Sequence, residues 1–157
     1  DNYHSLNSHV IPGLIKKFHN AKKNNLNSVN CWGSGSPLRE FLYVDDLAEA
    51  CLYIIEKWHS SRNHPPKDEN GNEIFWLNIG TQYEISIKNL AKKIATLMDY
   101  KGEIFWDKNM PDGTPRKKLD TAKINYLGWL AKTNLDIGLR LTLEAFENEV
   151  KTQIIRD

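Results

Sequence analysis

The feature that most constrains the fold is a helical pattern of apolar residues that follows the apolar run at residues 41–44. Asp46 and Glu49 are spaced as in a capping box, which favours the start of an α-helix there. Beyond them, apolar side chains recur at the i, i+3, i+4 and i+7 spacing of one helix face. They are Leu47, Ala50, Cys51, Ile54, Ile55 and Trp58. The pattern predicts an amphipathic helix with a buried face.

The rest of the chain alternates short apolar runs with further amphipathic segments. Strands are predicted at residues 28–32, 41–44, 74–79 and 103–106. Other helices are predicted to start at Ser8, Ser86, Thr121 and Thr133. The polar residues 59–73 are predicted to form a surface loop. Alternating strands and helices predict an α/β fold, and 157 residues fit a single domain spanning 1–157.

Composition excludes several classes of function. The formal net charge is +1, from 21 basic and 20 acidic residues, so we expect neither nucleic acid nor a membrane surface as a partner. No apolar run could span a bilayer and no signal pattern is visible. Cys31 and Cys51 are isolated, which favours a reducing cytoplasm. The chain starts at Asp1 rather than Met, which suggests that an upstream part is missing.

Three apparent motifs are better explained as ordinary structure. Gly33-Ser34-Gly35 lacks the third glycine and the following helix of a dinucleotide-binding loop, so we predict a plain turn. Tyr53 and Lys57 have the spacing of a dehydrogenase Tyr-x-x-x-Lys pair, but Tyr53 lies off the apolar stripe and coincidence is the better explanation. The pairs His4 with His9 and His59 with His64 are five residues apart, which does not place two imidazoles on one helix face. We predict no metal site.

Residues 110–120 combine a turn rich in Pro and Gly with a carboxylate and a cationic cluster. Asp112 followed by residues 116–118 suits a sugar-phosphate ligand, since cations and a carboxylate contact phosphate and hydroxyl groups respectively. The alternative is a common Asp-Gly turn followed by a solvated basic run. Likewise, Arg39 with Glu40 could form a surface ion pair, and Trp32 could be a core aromatic.

Ordered strings along nearly the whole chain resemble the GDP-L-fucose synthase family. They lie at residues 1–4, 7–12, 32–35, 39–42, 44–48, 78–81 and 111–117. Asn-Ser-His-Val-Ile-Pro and Pro-Asp-Gly-Thr-Pro-Arg-Lys are the specific strings. Arg-Glu-Phe and Val-Asp-Asp are shared more widely among nucleotide-sugar epimerases and dehydratases, so they indicate only the extended short-chain dehydrogenase superfamily.

The resemblance implies the C-terminal substrate-binding part of such an enzyme, with residues 39–58 in the layer of its Rossmann-like sheet. These enzymes epimerise GDP-4-keto-6-deoxy-mannose at two carbons beside the ketone and then reduce the ketone with NADPH, giving GDP-L-fucose. The family's NADP-binding loop and its reductase Ser, Tyr and Lys precede the match. We therefore expect an oxidoreductase and isomerase whose NADP-binding part is absent here, and an isolated chain without activity.

The resemblance also assigns roles to five residues. His9 matches a histidine that donates a proton during epimerisation and lies near the cofactor, and the alternative is a histidine that caps or packs locally. Lys17, Trp32, Arg39 and Asp112 match substrate-binding positions. Lys17 replaces an arginine, which keeps the charge and loses the bidentate fork. Gly13 stands where a helix former is expected, at a cost of about 1 kcal/mol relative to Ala.

The resemblance further implies a homodimer for the complete enzyme, with its interface in the absent part. A chain without its partner half is expected to expose apolar surface and to self-associate. Two alternatives remain at this point: another NAD(P)-dependent nucleotide-sugar epimerase or dehydratase, or a nucleotide-binding module without catalysis.

Overall fold

A computed structural model of the chain describes residues 2–4, 7–57, 67–152 and 154. Three predictions fall partly or wholly on residues outside the described ones. They are the place of Trp58 on the buried face of the helix, the pair His59 and His64, and part of the loop at 59–73. The elements are α1 (Val10–Lys23), β1 (Ser28–Trp32), β2 (Leu38–Glu40), α2 (Val44–Lys57), β3 (Glu84–Ser86), α3 (Ile87–Leu97), β4 (Glu103–Asp107), β5 (Arg116–Lys117), α4 (Ala122–Tyr126) and α5 (Leu135–Thr152).

The chain divides into two compact units. The first unit comprises Asp1–Leu38, Ile85–Arg116 and Asp136–Asp157, and the second comprises Arg39–Glu84 and Lys117–Leu135. β1 and β4 form a two-stranded sheet, and β3, β2 and β5 form a three-stranded sheet in that order. The single domain at 1–157 and the Rossmann-like layer at 39–58 stay predictions.

The core of the first unit lies against a parallel strand pair. β1 and β4 pair from Ser28 with Glu103 to Trp32 with Asp107. α1 contributes its buried face, on which Phe18 is fully buried, and α3 contributes Leu90 and Ile94. Tyr3 contacts Phe146 with ring centroids 4.7 Å apart, and Phe18 contacts Tyr100 at 5.4 Å. Because the strands are parallel, their carboxyl ends meet at one edge of the pair.

The start of α1 differs from the prediction. The helix begins at Val10 with His9 at the N-cap, so Ser8 lies one residue too early to cap it. Pro12 is tolerated in the first turn because its missing N–H would have no helical partner there. A Cβ on Gly13 would lie 3.0 Å from Ser8 Oγ, so close packing of that hydroxyl accounts for the glycine.

The second unit is built around a small apolar core and two carboxylates. Ala50, Ile124 and Trp129 are its buried centre. The Asp46 carboxylate accepts hydrogen bonds from Lys132 N at 3.0 Å, Thr133 N at 2.8 Å and Thr133 Oγ1 at 2.9 Å. The predicted capping roles of Asp46 and Thr133 are therefore wrong: α2 starts at Val44, α5 starts at Leu135, and the two side chains bond each other.

Glu40 joins two further segments of the second unit. Its Oε1 accepts from the backbone N–H groups of Thr81 and of Gln82, the latter at 2.6 Å, and its Oε2 accepts from Leu119 N at 3.0 Å. A Cβ on Gly80 would overlap Glu40 Oε1, so this position requires glycine. The carboxylate thereby satisfies three backbone donors that have no ladder partner.

Two predicted strands are wrong because a strand needs a ladder partner as well as an apolar pattern. Residues 41–43 are irregular and Val44 already belongs to α2. Residues 74–79 form no ladder within the described part of the chain. The strand over β1 and the helix α3 are confirmed, and Ser86 Oγ caps α3 by accepting from Asn89 N at 3.2 Å.

The helix α2 is confirmed, but its predicted buried face is largely wrong. Leu47 is 42% exposed, Ile55 is 73% exposed and Cys51 is exposed. Val44 and Leu52 are exposed as well. Within the described part of α2, the buried residues are Asp46 and Ala50. Periodicity identified the helix, while most of its apolar stripe is exposed among the residues that the structure describes.

Candidate functional site

A cavity of about 280 Å³ opens in the first unit at the carboxyl end of the β1 and β4 pair. The first two turns of α1 contribute His9 and Lys17 to its wall, and β1 contributes Cys31 and Trp32. Trp106 of β4 completes the aromatic side. The carboxyl edge of parallel strands is where open α/β sheets commonly bind ligands. The predicted residues His9, Lys17 and Trp32 are thus brought to one cavity.

His9 lies at the N-cap of α1 with an exposed side chain. Its side chain makes no capping hydrogen bond, while its carbonyl accepts from Gly13 N at 2.9 Å. The backbone alone therefore starts the helix. The alternative in which the imidazole serves as the helix cap is wrong.

Lys17 places its ammonium group at the rim of the same cavity. Lys17 Nζ donates to the Asn30 carbonyl at 3.1 Å and lies 5.4 Å from the centroid of the Trp32 ring. Such a separation is within reach of a cation–π attraction. Burial raises the pKa of the neighbouring Cys31 thiol, and the Lys17 charge opposes that shift. Cys31 is therefore a neutral wall of the cavity at physiological pH.

Trp32 is 53% exposed, so the alternative of a core aromatic is wrong. As the last residue of β1, it alternates with the buried Cys31 and turns its ring outward. An exposed indole beside an ammonium group offers a flat apolar surface with a cation next to it. That combination suits a base or sugar ring attached to phosphate.

Asp112 is held by the turn that follows Trp32. Ser34 N donates to Asp112 Oδ1 at 2.6 Å, and Ser34 Oγ donates to Asp112 Oδ2 at 2.7 Å. These bonds lower the pKa of the Asp112 carboxyl, first through the Ser34 hydroxyl and then through the Ser34 N–H, with a smaller contribution from the Gly35 N–H. The exposed loop around Asp112 is thus anchored two residues beyond the cavity wall.

The two glycines of this turn are required by close approach. Gly33 has φ of +75° and Gly35 has φ of +72°, both in the left-handed region that favours glycine. A Cβ on Gly33 would overlap Asp112 Oδ1, and one on Gly35 would lie 2.8 Å from the Trp106 ring. The turn leads into β2 rather than a helix, so the exclusion of a dinucleotide-binding loop is confirmed.

Comparisons with known proteins find several GDP-L-fucose synthases that are similar to this chain. Residues 1–67 match the NAD dependent epimerase/dehydratase family. The chain is 45% identical over 152 residues to "Putative GDP-L-fucose synthase 2" of Arabidopsis thaliana, covering 96% of this chain and 42% of the relative. It is 42% identical to GDP-L-fucose synthase of Escherichia coli K12, covering 95% of this chain and 46% of the relative. The chain is similar to these GDP-L-fucose synthases over almost its whole length and spans less than half of theirs.

The α/β fold is confirmed by a solved GDP-L-fucose synthetase from Naegleria fowleri, described as bound to NADP. It superimposes with a TM-score of 0.79 at 25% identity, covering 97% of this chain and 44% of that structure. The chain spans about 42% of the length of the first plant relative. No helix within the described residues is long and apolar enough to cross a membrane.

The fifth residue assigned from the GDP-L-fucose synthase resemblance, Arg39, belongs to the second unit. It lies in β2 with a half-buried side chain, and its substrate contact stays a prediction. The basic residues 116–118 are exposed, and Lys118 Nζ lies 3.9 Å from Glu84 Oε2. The Glu84 side chain is 13% exposed and the Lys118 side chain 35%, and a contact as long as 3.9 Å contributes little to stability.

Tyr53 and Lys57 do not act as a dehydrogenase pair. Tyr53 Oη donates to the Leu127 carbonyl at 2.6 Å, and Lys57 Nζ lies 5.9 Å from the Tyr53 ring. The hydroxyl fixes the segment after α4, where Gly128 adopts φ of +99°. The interpretation of this spacing as coincidence is confirmed.

Two contributors to the site were missed from the sequence, Ser34 and Trp106. The flanking glycines of Ser34 were a usable signal, because paired left-handed residues often surround a backbone that approaches another group closely. Trp106 carried no signal beyond its place at the end of a predicted strand. Within the described ranges, no group of three or more His, Cys, Asp or Glu side chains is arranged to hold a metal ion.

Proposed function

We propose that this chain carries the nucleotide-sugar side of a GDP-L-fucose synthase, and that the cavity of the first unit is the substrate site. The observation that carries the proposal is the convergence of His9, Lys17 and Trp32 on one cavity. Those three positions match substrate-handling residues of the family. The cavity combines a titratable imidazole, a cation and an exposed aromatic ring, which are the groups that a GDP-sugar requires.

The cation and the ring bind and orient the substrate. Lys17 Nζ, beside the Trp32 ring at 5.4 Å, places a positive charge for a phosphate oxygen of the diphosphate. The Trp32 face packs against the nucleotide, since its ring is 53% exposed. The Asp112 carboxylate accepts a hydrogen bond from a hydroxyl group of the ligand. Arg39 of the second unit is proposed as a further substrate-binding residue on the family resemblance alone.

His9 is the acid of the epimerisation. A base takes a proton from a carbon beside the ketone, which gives an enolate, and an acid returns a proton to the opposite face, which inverts that carbon. His9 supplies the second proton, and we propose that the base lies in sequence outside this chain. An imidazole suits this proton transfer because its ordinary pKa lies near neutrality. His9 is exposed on the cavity wall, where it can exchange its proton with solvent between the two epimerisations.

NADPH, when bound, supplies the hydride that reduces the ketone. The chain's own contribution toward it is proposed to be His9, which the family resemblance places near the cofactor. The Gly33-Ser34-Gly35 turn does not fit a role in NADP binding, because its donors face Asp112 and a strand follows it. We propose that most of the NADP site lies in sequence outside this chain, and that the isolated chain does not turn over.

The exposed stripe of α2 supports the proposal that residues 39–58 belong to the layer of a nucleotide-binding sheet. Val44, Leu47 and Ile55 are 66%, 42% and 73% exposed and lie on one side of the helix. A stripe of this size is normally covered by protein. We further propose a cytoplasmic location and a homodimer for the complete enzyme.

Calorimetric titration with GDP and UDP tests the substrate site. The wild-type chain is expected to prefer GDP, and Lys17→Ala to weaken GDP binding by about tenfold through loss of one charged contact. Lys23→Ala is the matched control, because this exposed lysine lies in the last turn of the same helix, outside the cavity. Equal affinity of Lys17→Ala and wild type would contradict the site.

NADPH oxidation separates an enzyme from a binding module. Adding the upstream half of a relative to the chain, covalently or in trans, is expected to restore oxidation of NADPH with GDP-4-keto-6-deoxy-mannose. His9→Asn in the restored protein is expected to lose epimerised product while it keeps GDP affinity. A chain that binds GDP and stays inactive in every such assembly would be a binding module.

A further inference from the structure

The turn after Trp32 contains a directed chain of hydroxyl groups that the family resemblance does not assign. Ser34 Oγ donates its one hydrogen to Asp112 Oδ2 at 2.7 Å. It therefore acts as acceptor toward Ser36, both for Ser36 N at 3.1 Å and for the Ser36 hydroxyl at 2.6 Å. The order of donation is fixed: Ser36 to Ser34, and Ser34 to Asp112.

Both oxygens of the Asp112 carboxylate accept hydrogen bonds from Ser34. Ser34 N reaches Oδ1 at 2.6 Å while Ser34 Oγ reaches Oδ2, so the carboxyl plane of Asp112 is held against one residue. Gly33 leaves room for this approach, and its N–H donates to the Asp107 carbonyl at 2.9 Å at the end of β4. The turn is thus fastened to the strand pair that carries the cavity.

Residues 111–120 are otherwise exposed along their whole length. Backbone bonds on either side of residues 111–114 join Met110 N to the Asp107 carbonyl at 3.1 Å and Leu38 N to the Pro115 carbonyl at 2.9 Å. Between these two points, the Ser34 bonds are the side-chain contact that fixes the direction of Asp112. Without them, the carboxylate would sample many orientations, at an entropic cost to any ligand that binds it.

We infer that Ser34 is a positioning residue of the substrate site, which holds Asp112 so that the free acceptor positions of its carboxylate face a ligand hydroxyl. The inference rests on the proposed function. A carboxylate has about four acceptor positions. The Ser34 N–H and the Ser34 hydroxyl use two of them. The two that remain can accept from ribose or sugar hydroxyls of a ligand.

A double-mutant cycle on the affinity for GDP-L-fucose tests this role. Ser34→Ala is expected to weaken binding by about tenfold, the value of one charge-assisted hydrogen bond. Ser34→Thr keeps the hydroxyl and is expected to restore affinity toward the wild-type value. Asp112→Asn alone and combined with Ser34→Ala are expected to weaken binding equally, because Ser34 acts through Asp112. Ser28→Ala, an exposed serine at the start of β1, is the control.

Additive losses in the double variant, or an affinity that Ser34→Ala leaves unchanged, would overturn the inference. Replacing GDP-L-fucose by the inosine analogue removes the guanine amino group. The affinities of wild type and of Asp112→Asn are expected to fall by the same factor on that change. A fall confined to wild type would show that Asp112 binds the base.

A titration of the Asp112 carboxyl carbon by NMR separates this inference from the proposed function. Its pKa is expected to rise toward the ordinary value in Ser34→Ala and to stay low in Ser34→Thr. If the wild-type chain binds no GDP-L-fucose, the proposed binding site fails, and this titration still decides whether Ser34 holds the carboxylate. An unchanged pKa in Ser34→Ala would overturn it in either case.

Discussion

Asp46 and Asp112 are bonded in almost the same way and differ in burial. Asp46 accepts two backbone N–H groups and the Thr133 hydroxyl, and it is 4% exposed. Asp112 accepts the N–H and hydroxyl of Ser34 and is exposed. The buried carboxylate is closed to any ligand and stabilises its unit. The exposed carboxylate of Asp112 contributes little to the stability of the fold, and its remaining acceptor positions face solvent.

Removing the buried carboxylate is the change with the largest expected effect. Asp46→Ala leaves the N–H groups of Lys132 and Thr133 without their partner and is expected to lower the free energy of unfolding by about 3 kcal/mol. Urea denaturation followed by circular dichroism measures this. Asp45→Ala, at the exposed neighbouring position, is expected to change it by less than about 0.5 kcal/mol. Equal effects of the two would contradict the structural role of Asp46.

Two glycines with the same backbone conformation sharpen the comparison. Gly33 and Gly71 have φ of +75° and +82°, but a Cβ would overlap Asp112 at Gly33 and meets no heavy atom within 4 Å at Gly71. Gly71→Ala is expected to cost about 1 kcal/mol of backbone strain. Gly33→Ala is expected to cost about 1 kcal/mol more and to weaken GDP-L-fucose binding. Denaturation measures the stability of both variants, and calorimetry measures their affinity for GDP-L-fucose. Equal stabilities would show that the turn accommodates a Cβ at Gly33 without loss of stability.

The pH dependence of the Ser34 and Asp112 contact follows from its sign. Because the folded-state pKa of Asp112 is lowered, chiefly by the Ser34 hydroxyl, ionisation of this group favours the folded turn above the ordinary carboxyl pKa. That contribution is lost as the pH falls through the folded-state pKa. Because Asp112 stays ionised near neutral pH, its titration is not expected to change the affinity for GDP-L-fucose between about pH 6 and 8. The Asp112 carboxyl is expected to titrate only in acid. A carboxyl that titrates above its ordinary range would contradict the contact between Ser34 and Asp112.

The smallest effect on stability is expected on the exposed face of α2. Ile55→Glu, at a side chain 73% exposed, is expected to change the free energy of unfolding by less than about 0.5 kcal/mol. It is also expected to reduce self-association of the chain in sedimentation velocity, because a charge disrupts an apolar contact. Glu56→Gln at the adjacent exposed position is the control. Unchanged association in Ile55→Glu would exclude this face as the surface that self-associates.

Local patterns predicted the elements that depend on local interactions. β1 was predicted with its observed bounds, and α3 was predicted from its apolar spacing and its Ser86 cap. The strand at 74–79 and the buried face of α2 were wrong, because each depends on a covering or pairing segment that the local pattern does not specify. Apolar pattern alone does not identify what covers a surface.

The site was predictable only in part, because local sequence patterns do not specify contacts between distant residues. His9, Lys17 and Trp32 came from strings that match the GDP-L-fucose synthases, and the fold places them on one cavity. The bond between Ser34 and Asp112 joins residues 78 positions apart, which no spacing argument reaches. The two glycines around Ser34 were the trace of that contact in the sequence, since each leaves space for a distant side chain.

The most direct test of the substrate site is an NMR titration of the ¹⁵N-labelled chain with GDP-L-fucose. Binding in the cavity is expected to shift the indole N–H signal of Trp32 and the amide signals of Lys17 and Ser34. The indole N–H of Trp129, buried in the second unit without a hydrogen-bond partner among the described atoms, should stay in place as an internal reference. Shifts confined to the exposed basic residues 116–118, with Trp32 unmoved, would contradict the assignment of the cavity as the GDP-sugar site.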